Sequence, residues 1–288
     1  MPDSARIEIR LLRESDLPAA MQLKQLARWN QTEADWRSLL EIEPNGCFAA
    51  VLDDQLVGTT TTTRYGSELA WVGMVLVRPE NRRTGIATKL FETALKYLDG
   101  KVRTVKLDAT ADGKPVYERF GFQVESLIER WARAGRSDRV STTCAESNKT
   151  IDRDTRQDIL ELDRSVFAAD RSVLIDKRLD DSCVPIVSVR AADQSLRGYG
   201  WARAGSNATY VGPVVSRDPE RVTELLDRIL DELDQQSAYI DFNCRWGNGR
   251  ALLAERGFEK QRDLVRMTLG KGTPTSPLVF AIAGPEIG

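Results

Sequence analysis

The chain has 288 residues, 41% hydrophobic and 29% charged, with a formal net charge of −2: a soluble globular composition with room for two ordinary domains and no broad basic field for nucleic acid. No apolar run reaches membrane-spanning length, and the start Met1-Pro2-Asp3-Ser4-Ala5-Arg6 lacks the form of a signal peptide, so no membrane partner is expected and the cytoplasm is the expected compartment. Histidine is absent, which excludes Ser-His and Cys-His catalysis and any histidine-ligated metal centre.

In chain order, residues 6–12 alternate as a strand, and Ser15-Asp16 starts a helix carrying Leu17, Met21, Leu23 and Leu26. After Trp29-Asn30-Gln31, a capping-box pattern at Thr32 and Asp35 opens a second helix through Trp36, Leu39 and Leu40. Pro44-Asn45-Gly46 ends it. Strands follow at about 47–53, 56–64 and 69–78. The run Thr59–Thr63 suits a strand by its β-branching and is assigned no catalytic role. Next come a basic turn, a helix at about 85–98, a strand at about 103–109, a helix at about 114–120 and a strand at about 121–132.

The turn Arg82-Arg83-Thr84-Gly85-Ile86-Ala87-Thr88, between the strand ending Val75-Leu76-Val77 and an amphipathic helix, has the make-up of an anion site. A helix N-terminus offers unpaired N–H groups and partial positive charge, and Gly85 and Ala87 leave room for a ligand near the backbone. It lacks the Gly-Lys-Ser/Thr ending of a Walker A loop and the three-glycine spacing of a dinucleotide fingerprint. Arg82-x-x-Gly85-x-Ala87, followed about thirty residues later by Tyr117-Glu118-Arg119-Phe120-Gly121-Phe122, resembles the two signatures of the GNAT N-acetyltransferase superfamily. The element order matches that fold as far as its last strand, over roughly residues 6–132. The expected class is α/β with a mixed sheet.

Residues 132–139 read as a linker, and beyond it the pattern repeats. Trp71-Val72-Gly73 recurs as Tyr210-Val211-Gly212, Gln55–Thr59 as Leu196–Trp201, and Val116–Phe122 as Leu252–Phe258. The implied organisation is two tandem GNAT-like domains, 1–135 and 136–288. The second is degenerate: Arg217-Asp218-Pro219-Glu220-Arg221 has no glycine and two carboxylates where phosphate would sit, and Leu253 replaces the tyrosine. It is expected to wall the acceptor cleft, and a fragment ending near Arg139 is expected to retain CoA binding. The tail 280–288, Trp29–Thr32 and Leu107–Thr110 are similar to tandem GNAT proteins of the YitH type.

The resemblance implies an acetyl-CoA-dependent N-acetyltransferase acting on a primary amine of a small molecule or peptide, with no metal. Acetyl-CoA would be the acyl-donor cosubstrate, held by the backbone of Val75, Leu76 and Val77, by the loop from Arg82 to Thr88, and by Thr110 where the family has asparagine. Tyr117 takes the general-acid position. The family's strand-four glutamate is replaced by Trp71, which leaves the base open among Asp108, Glu286 in the tail, and water; Asp108 has the competing role of a helix cap near Lys114. Trp29, Asn30 and Gln31 lie where the fold lines the acceptor pocket. An alternative is a CoA-binding module whose transferase activity has decayed. Cys47, Cys144, Cys183 and Cys244 are too scattered for a zinc site or disulfide framework, and the oligomeric state is open.

Overall fold

The computed structural model describes residues 7–135, 151–180, 182, 185–233 and 236–288. Its first half runs β1 (Glu8–Leu11), α1 (Leu17–Leu26), α2 (Glu33–Ile42), β2 (Phe48–Leu52), β3 (Gln55–Tyr65), β4 (Leu69–Val77), α3 (Ile86–Leu98), β5 (Thr104–Ala109), α4 (Lys114–Arg119) and β6 (Gln123–Arg133). The second half repeats the plan with α5 (Arg153–Phe167), α6 (Ser172–Asp180), β7 (Val187–Arg190), β8 (Leu196–Arg203), β9 (Thr209–Ser216), α7 (Arg221–Glu232), β10 (Ala238–Asn243), α8 (Gly249–Glu255) and β11 (Glu259–Gly270), then adds β12 (Val279–Ala281). Ala132 and Arg133 of the expected linker belong to β6; residues 136–139 lie outside the described residues.

Local signals explain most of these elements. The side chain of Thr32 accepts from the Asp35 N–H at 3.3 Å, and Asp35 accepts from the Thr32 N–H at 2.7 Å, so the capping box opens α2. Ile86, Leu90, Phe91, Ala94 and Leu98 form the buried stripe of α3. Val222, Leu225, Leu226, Ile229 and Leu230 do the same for α7. Helices α3 and α4 cover the first half's strands on one face, while α1 and α2 bury Leu69, Trp71 and Leu76 on the other.

Among the described residues the twelve strands form one sheet, ordered β1-β2-β3-β4-β5-β11-β6-β10-β12-β9-β8-β7. The order is nearly the same from either edge, because the last strand of each repeat has crossed to the other. β11 lies antiparallel between β5 and β6, and β6 lies antiparallel between β11 and β10. The two repeats therefore exchange strands and share one hydrogen-bonded ladder.

Matching buried ion pairs cross this exchange. Asp108 of β5 accepts two hydrogen bonds from Arg266 of β11, at 2.8 and 2.7 Å. At the corresponding place Asp241 of β10 accepts two from Arg130 of β6, at 2.8 and 2.5 Å. All four side chains are almost completely buried. Each half's inner aspartate is thus held by the other half's arginine.

Candidate active site

Strand β4 carries the irregularity that shapes the site. Thr59 of β3 pairs with Leu76, but Thr61 pairs with Gly73, so β4 has one extra residue there. Met74 takes up the difference with φ 50°. The extra residue reverses which face the side chains occupy: Leu69 and Trp71 share a core with Met74 and Leu76, while Ala70 and Val72 face the opposite core. Thr59 donates to the Met74 carbonyl at 2.8 Å and Thr60 to the Gly73 carbonyl at 3.4 Å. Two members of the threonine run thus hold the bulge in place, a role that their β-propensity alone does not reveal.

Pairing between β4 and β5 stops at Trp71 with Lys106. Beyond it the parallel strands separate, and a cavity opens between them. Its wall brings together Val72, Gly73, Met74 and Val75 of β4, Leu107, Asp108 and Thr110 at the end of β5, and Tyr117 of α4. Trp29, Gln31, Arg130, Arg262, Leu264, Pro285 and Glu286 close the other side. Leu76 and Val77 are not part of this wall; they contribute backbone, with their side chains packed into cores on either face.

The loop Arg82–Thr88 follows β4 and runs into α3, and none of its residues belongs to the cavity wall. Gly85 precedes α3 with φ 86°, a conformation that favours glycine, and a Cβ there would meet no protein atom within 4 Å. No side chain caps α3, so its first N–H groups are left for a ligand. Arg82, Arg83 and Thr84 are exposed, Ala87 and Thr88 half-buried. Ile86 is buried in the core beneath the helix, which leaves only its backbone for binding. Thr110 Oγ1 accepts from the Gly113 N–H at 3.3 Å and so starts α4. Asp108 does not cap that helix: Gly113 is its N-cap, with no side-chain bond, and Asp108 is bound to Arg266.

Tyr117 packs against Phe91 at 4.7 Å between ring centroids and lies 9% exposed on the cavity wall. Burial pushes its phenol well above the usual value, and its hydroxyl meets no hydrogen-bond partner among the described residues. Burial likewise raises the Asp108 carboxyl, and Arg266 offsets part of that. Trp71 is buried, donates to the Pro285 carbonyl at 2.9 Å and lies under the Arg266 guanidinium at 4.5 Å. It anchors the tail where a base would otherwise stand.

The expectation that all three residues between α1 and α2 line the pocket needs correction. Trp29 and Gln31 do. Asn30 is buried at the junction of the halves, where its Oδ1 accepts from the Asn207 and Ala208 N–H groups at 2.9 and 3.1 Å and its Nδ2 donates to the Ala208 carbonyl at 2.9 Å. Its amide is fully used in joining the two halves.

The tail brings Glu286 to the cavity. Glu286 accepts from Gln31 Nε2 at 2.7 Å and from Arg203 at 3.1 Å. Arg203 in turn reaches both oxygens of Asp35 at 3.0 Å, and Asp35 also accepts from Arg178. Sequence patterns gave no sign of this network, whose members lie on α2, α6, β8 and the tail.

In the second half the gap between the corresponding strands is filled, although a groove lined by Pro219, Thr223, Trp246, Asn248 and Leu252 stays open between the start of α7 and α8. β9 and β10 also pair and then separate after Val211 with Ile240, but β12 lies in the gap, antiparallel to both. Before α7, Asp218 is bound by Arg197 at 2.9 and 2.6 Å, so a carboxylate stands where an anion would dock. Burial pushes the thiol of Cys47 up to about 12 and that of Cys244 up to about 11, while Cys144 and Cys183 lie outside the described residues. Among the described residues no helix is long and apolar enough to cross a membrane.

A bulged fourth strand parting from a fifth, beside an uncapped helix preceded by a left-handed glycine, frames the first half's cavity. Residues 11–122 match the acetyltransferase (GNAT) family and residues 159–277 an acetyltransferase (GNAT) domain. The chain belongs to the tandem GNAT acyltransferases. It is 24% identical over 192 residues to the uncharacterized N-acetyltransferase YitH of Bacillus subtilis, covering 67% of each chain. It is 21% identical to the holothin acyltransferase of a Pseudoalteromonas species, over 91% of this chain and 87% of the other. In fold it resembles an assigned acetyltransferase of Pyrococcus horikoshii, with TM-score 0.78, 22% identity and coverage of 100% of this chain and 98% of the other. It also resembles a tandem GNAT protein of the clavulanic acid pathway, with TM-score 0.64, 16% identity and coverage of 93% and 99%.

Proposed function

We propose that the chain transfers an acetyl group from acetyl-CoA to a primary amine of a small molecule or peptide, using the cavity of the first half. The observation that carries this is the contrast between the two openings. An extended peptide fills the gap between β9 and β10, so a gap of this design accepts a slender chain with amide groups. The gap between β4 and β5 is open and lined by Tyr117, and the loop at Arg82–Thr88 follows the same strand β4 into α3. Backbone groups from Val72 to Val77 on the β5 side, the loop N–H groups and Thr110 would hold the donor.

Acetyl-CoA supplies an activated thioester. In this reading the amine attacks it directly: the C–N bond forms, the C–S bond breaks, and Tyr117 gives its proton to the departing sulfur. The phenol lies on the cavity wall free of protein partners and can give that proton, although burial makes it a weaker acid than a free phenol. The proton lost by the amine has Asp108, Glu286 or water to receive it, and the duplicated ion pair weighs against Asp108. The second half keeps the same pairing, Asp241 with Arg130, beside a gap filled by chain, as expected of an architectural bond.

Free-thiol release from acetyl-CoA, measured over a panel of amines, tests the proposal. Turnover with at least one class of primary amine is the expected result. Tight acetyl-CoA binding with no thiol release on any amine would sink it.

A further inference from the structure

The charged residues on the cavity wall are paired, with one exception. Asp108 is held by Arg266, Arg130 by Asp241, and Glu286 by Arg203. Arg262 lines the same wall with no hydrogen bond or ion pair among the described residues, and its Nε is buried without an acceptor. Asp241 acts on it from a distance but is already bound by Arg130 through both oxygens.

Its placement is particular to the first site. A register shift between Lys260 and Arg262 in β11 re-aims the chain there. From that point Arg262, Leu264 and Arg266 alternate onto one face, the face that carries Asp108. Counting back from the matched Phe122 and Phe258, the position that corresponds to Arg262 in β6 is Ser126. The guanidinium is therefore an addition to one repeat and no part of the shared architecture.

A second unpartnered group stands in the same wall. Gln31 is 5% exposed, and its Oε1 is buried with no donor, while its Nε2 is used by Glu286. The cavity thus presents a donor that lacks an acceptor and an acceptor that lacks a donor. Leaving either unmatched is costly in a half-buried site.

We propose that the acceptor is an amino-carboxylate, whose carboxylate is bound by Arg262 and whose amine N–H is accepted by Gln31 Oε1. This rests on the transferase reading above and narrows its substrate. A guanidinium fork matches a carboxylate through two parallel bonds. One unpaired cation balances one negative charge, whereas a phosphate dianion would leave excess charge beside Asp108 and Glu286.

The test compares amino acids and small peptides with their C-terminal carboxamides, by thiol release from acetyl-CoA. The native enzyme should favour the carboxylates in kcat/KM on the order of 10²-fold, the usual scale of a charged hydrogen-bonded contact. Arg262→Met should bring the ratio to within about threefold by raising KM for the carboxylates, with acetyl-CoA affinity unchanged. Arg262→Lys should keep part of the preference. Equal use of carboxamides by the native enzyme would overturn the proposal and leave the transferase reading intact. If no amine turns over, calorimetry with N-acetyl amino acids and their amides reads the same site. Preference for the acids, lost in Arg262→Met, supports the proposal, and equal binding overturns it.

Discussion

At Tyr117 two demands meet in one side chain. The ring fills a gap among Phe91, Phe120 and Phe122, and the hydroxyl lies at the wall of the cavity. Tyr117→Phe keeps the first and removes the second, so acetyl-CoA affinity should stay within a few-fold while kcat falls about 10²–10⁴-fold. A donor with a more acidic thiol should recover part of the loss, because a better leaving group needs less protonation. An unchanged kcat would return Tyr117 to the core. Asp35 shows how a single residue joins local and distant order. It closes the capping box of α2 and also binds Arg203 and Arg178 from the other half. Burial alone would raise its carboxyl, but Arg203, Arg178 and Thr32 hold it down at about 2. An unfolded aspartate titrates near 4. The native protein should therefore hold this stabilisation in full above about pH 5 and lose it as pH falls toward 2, by an amount on the order of 2 kcal/mol. Denaturant midpoints measured from pH 7 to 3 should fall less steeply in Asp35→Asn. An identical acid limb in the variant would place the sensitivity elsewhere.

Among the elements, β12 decides how many donor sites the chain has. Three residues settle between β9 and β10, and Asp218 stands before α7, so the groove that remains between α7 and α8 has no free strand edge and a carboxylate near its α7 end. Calorimetric titration should give one acetyl-CoA per chain, and two comparable sites would contradict this. Gly85→Asp should abolish that single site. A side chain at Gly85 touches no protein atom, but the left-handed backbone strains any other residue there, so Gly85→Ala is the control that separates this strain from charge and bulk against the ligand. The helices and strands of the first half and the turn before α3 are readable from spacing and end signals, because those are settled within a few residues. The bulge in β4 was not. It depends on threonines of a neighbouring strand whose hydroxyls find the Met74 and Gly73 carbonyls only once β3 and β4 are paired.

For the whole molecule, the exchange of β6 and β11 changes what a domain boundary means. A chain cut near Arg139 would leave β5 and β6 each with an unpaired edge where β11 belongs, and Asp108 buried without Arg266. Breaking a buried pair from one side costs about 3–5 kcal/mol, and open strand edges favour aggregation. The fragment 1–135 should therefore fail to bind acetyl-CoA alone, contrary to what its intact motifs suggest. Co-expression with residues 151–288 should restore binding. Full affinity from the isolated fragment, in soluble monomeric form, would show the exchange to be dispensable.

By itself the sequence determined the repeat, the order of elements, the loop at Arg82–Thr88 and the place of Tyr117. Each rests on residues near in the chain: hydrophobic period, caps, a glycine at a turn, a tyrosine four residues before Gly121. Tertiary structure alone decided which strands became neighbours, that Asn30 joins the halves instead of facing substrate, and that β12 fills one opening while the other stays clear. It also decided that Gln31, Arg262 and Glu286 share a wall, though up to 255 residues separate the members of this set. A hydrogen-bonded ladder accepts any strand that presents the right edge, and charge pairs form across whatever the ladder brings close. Those choices carry no local pattern to read.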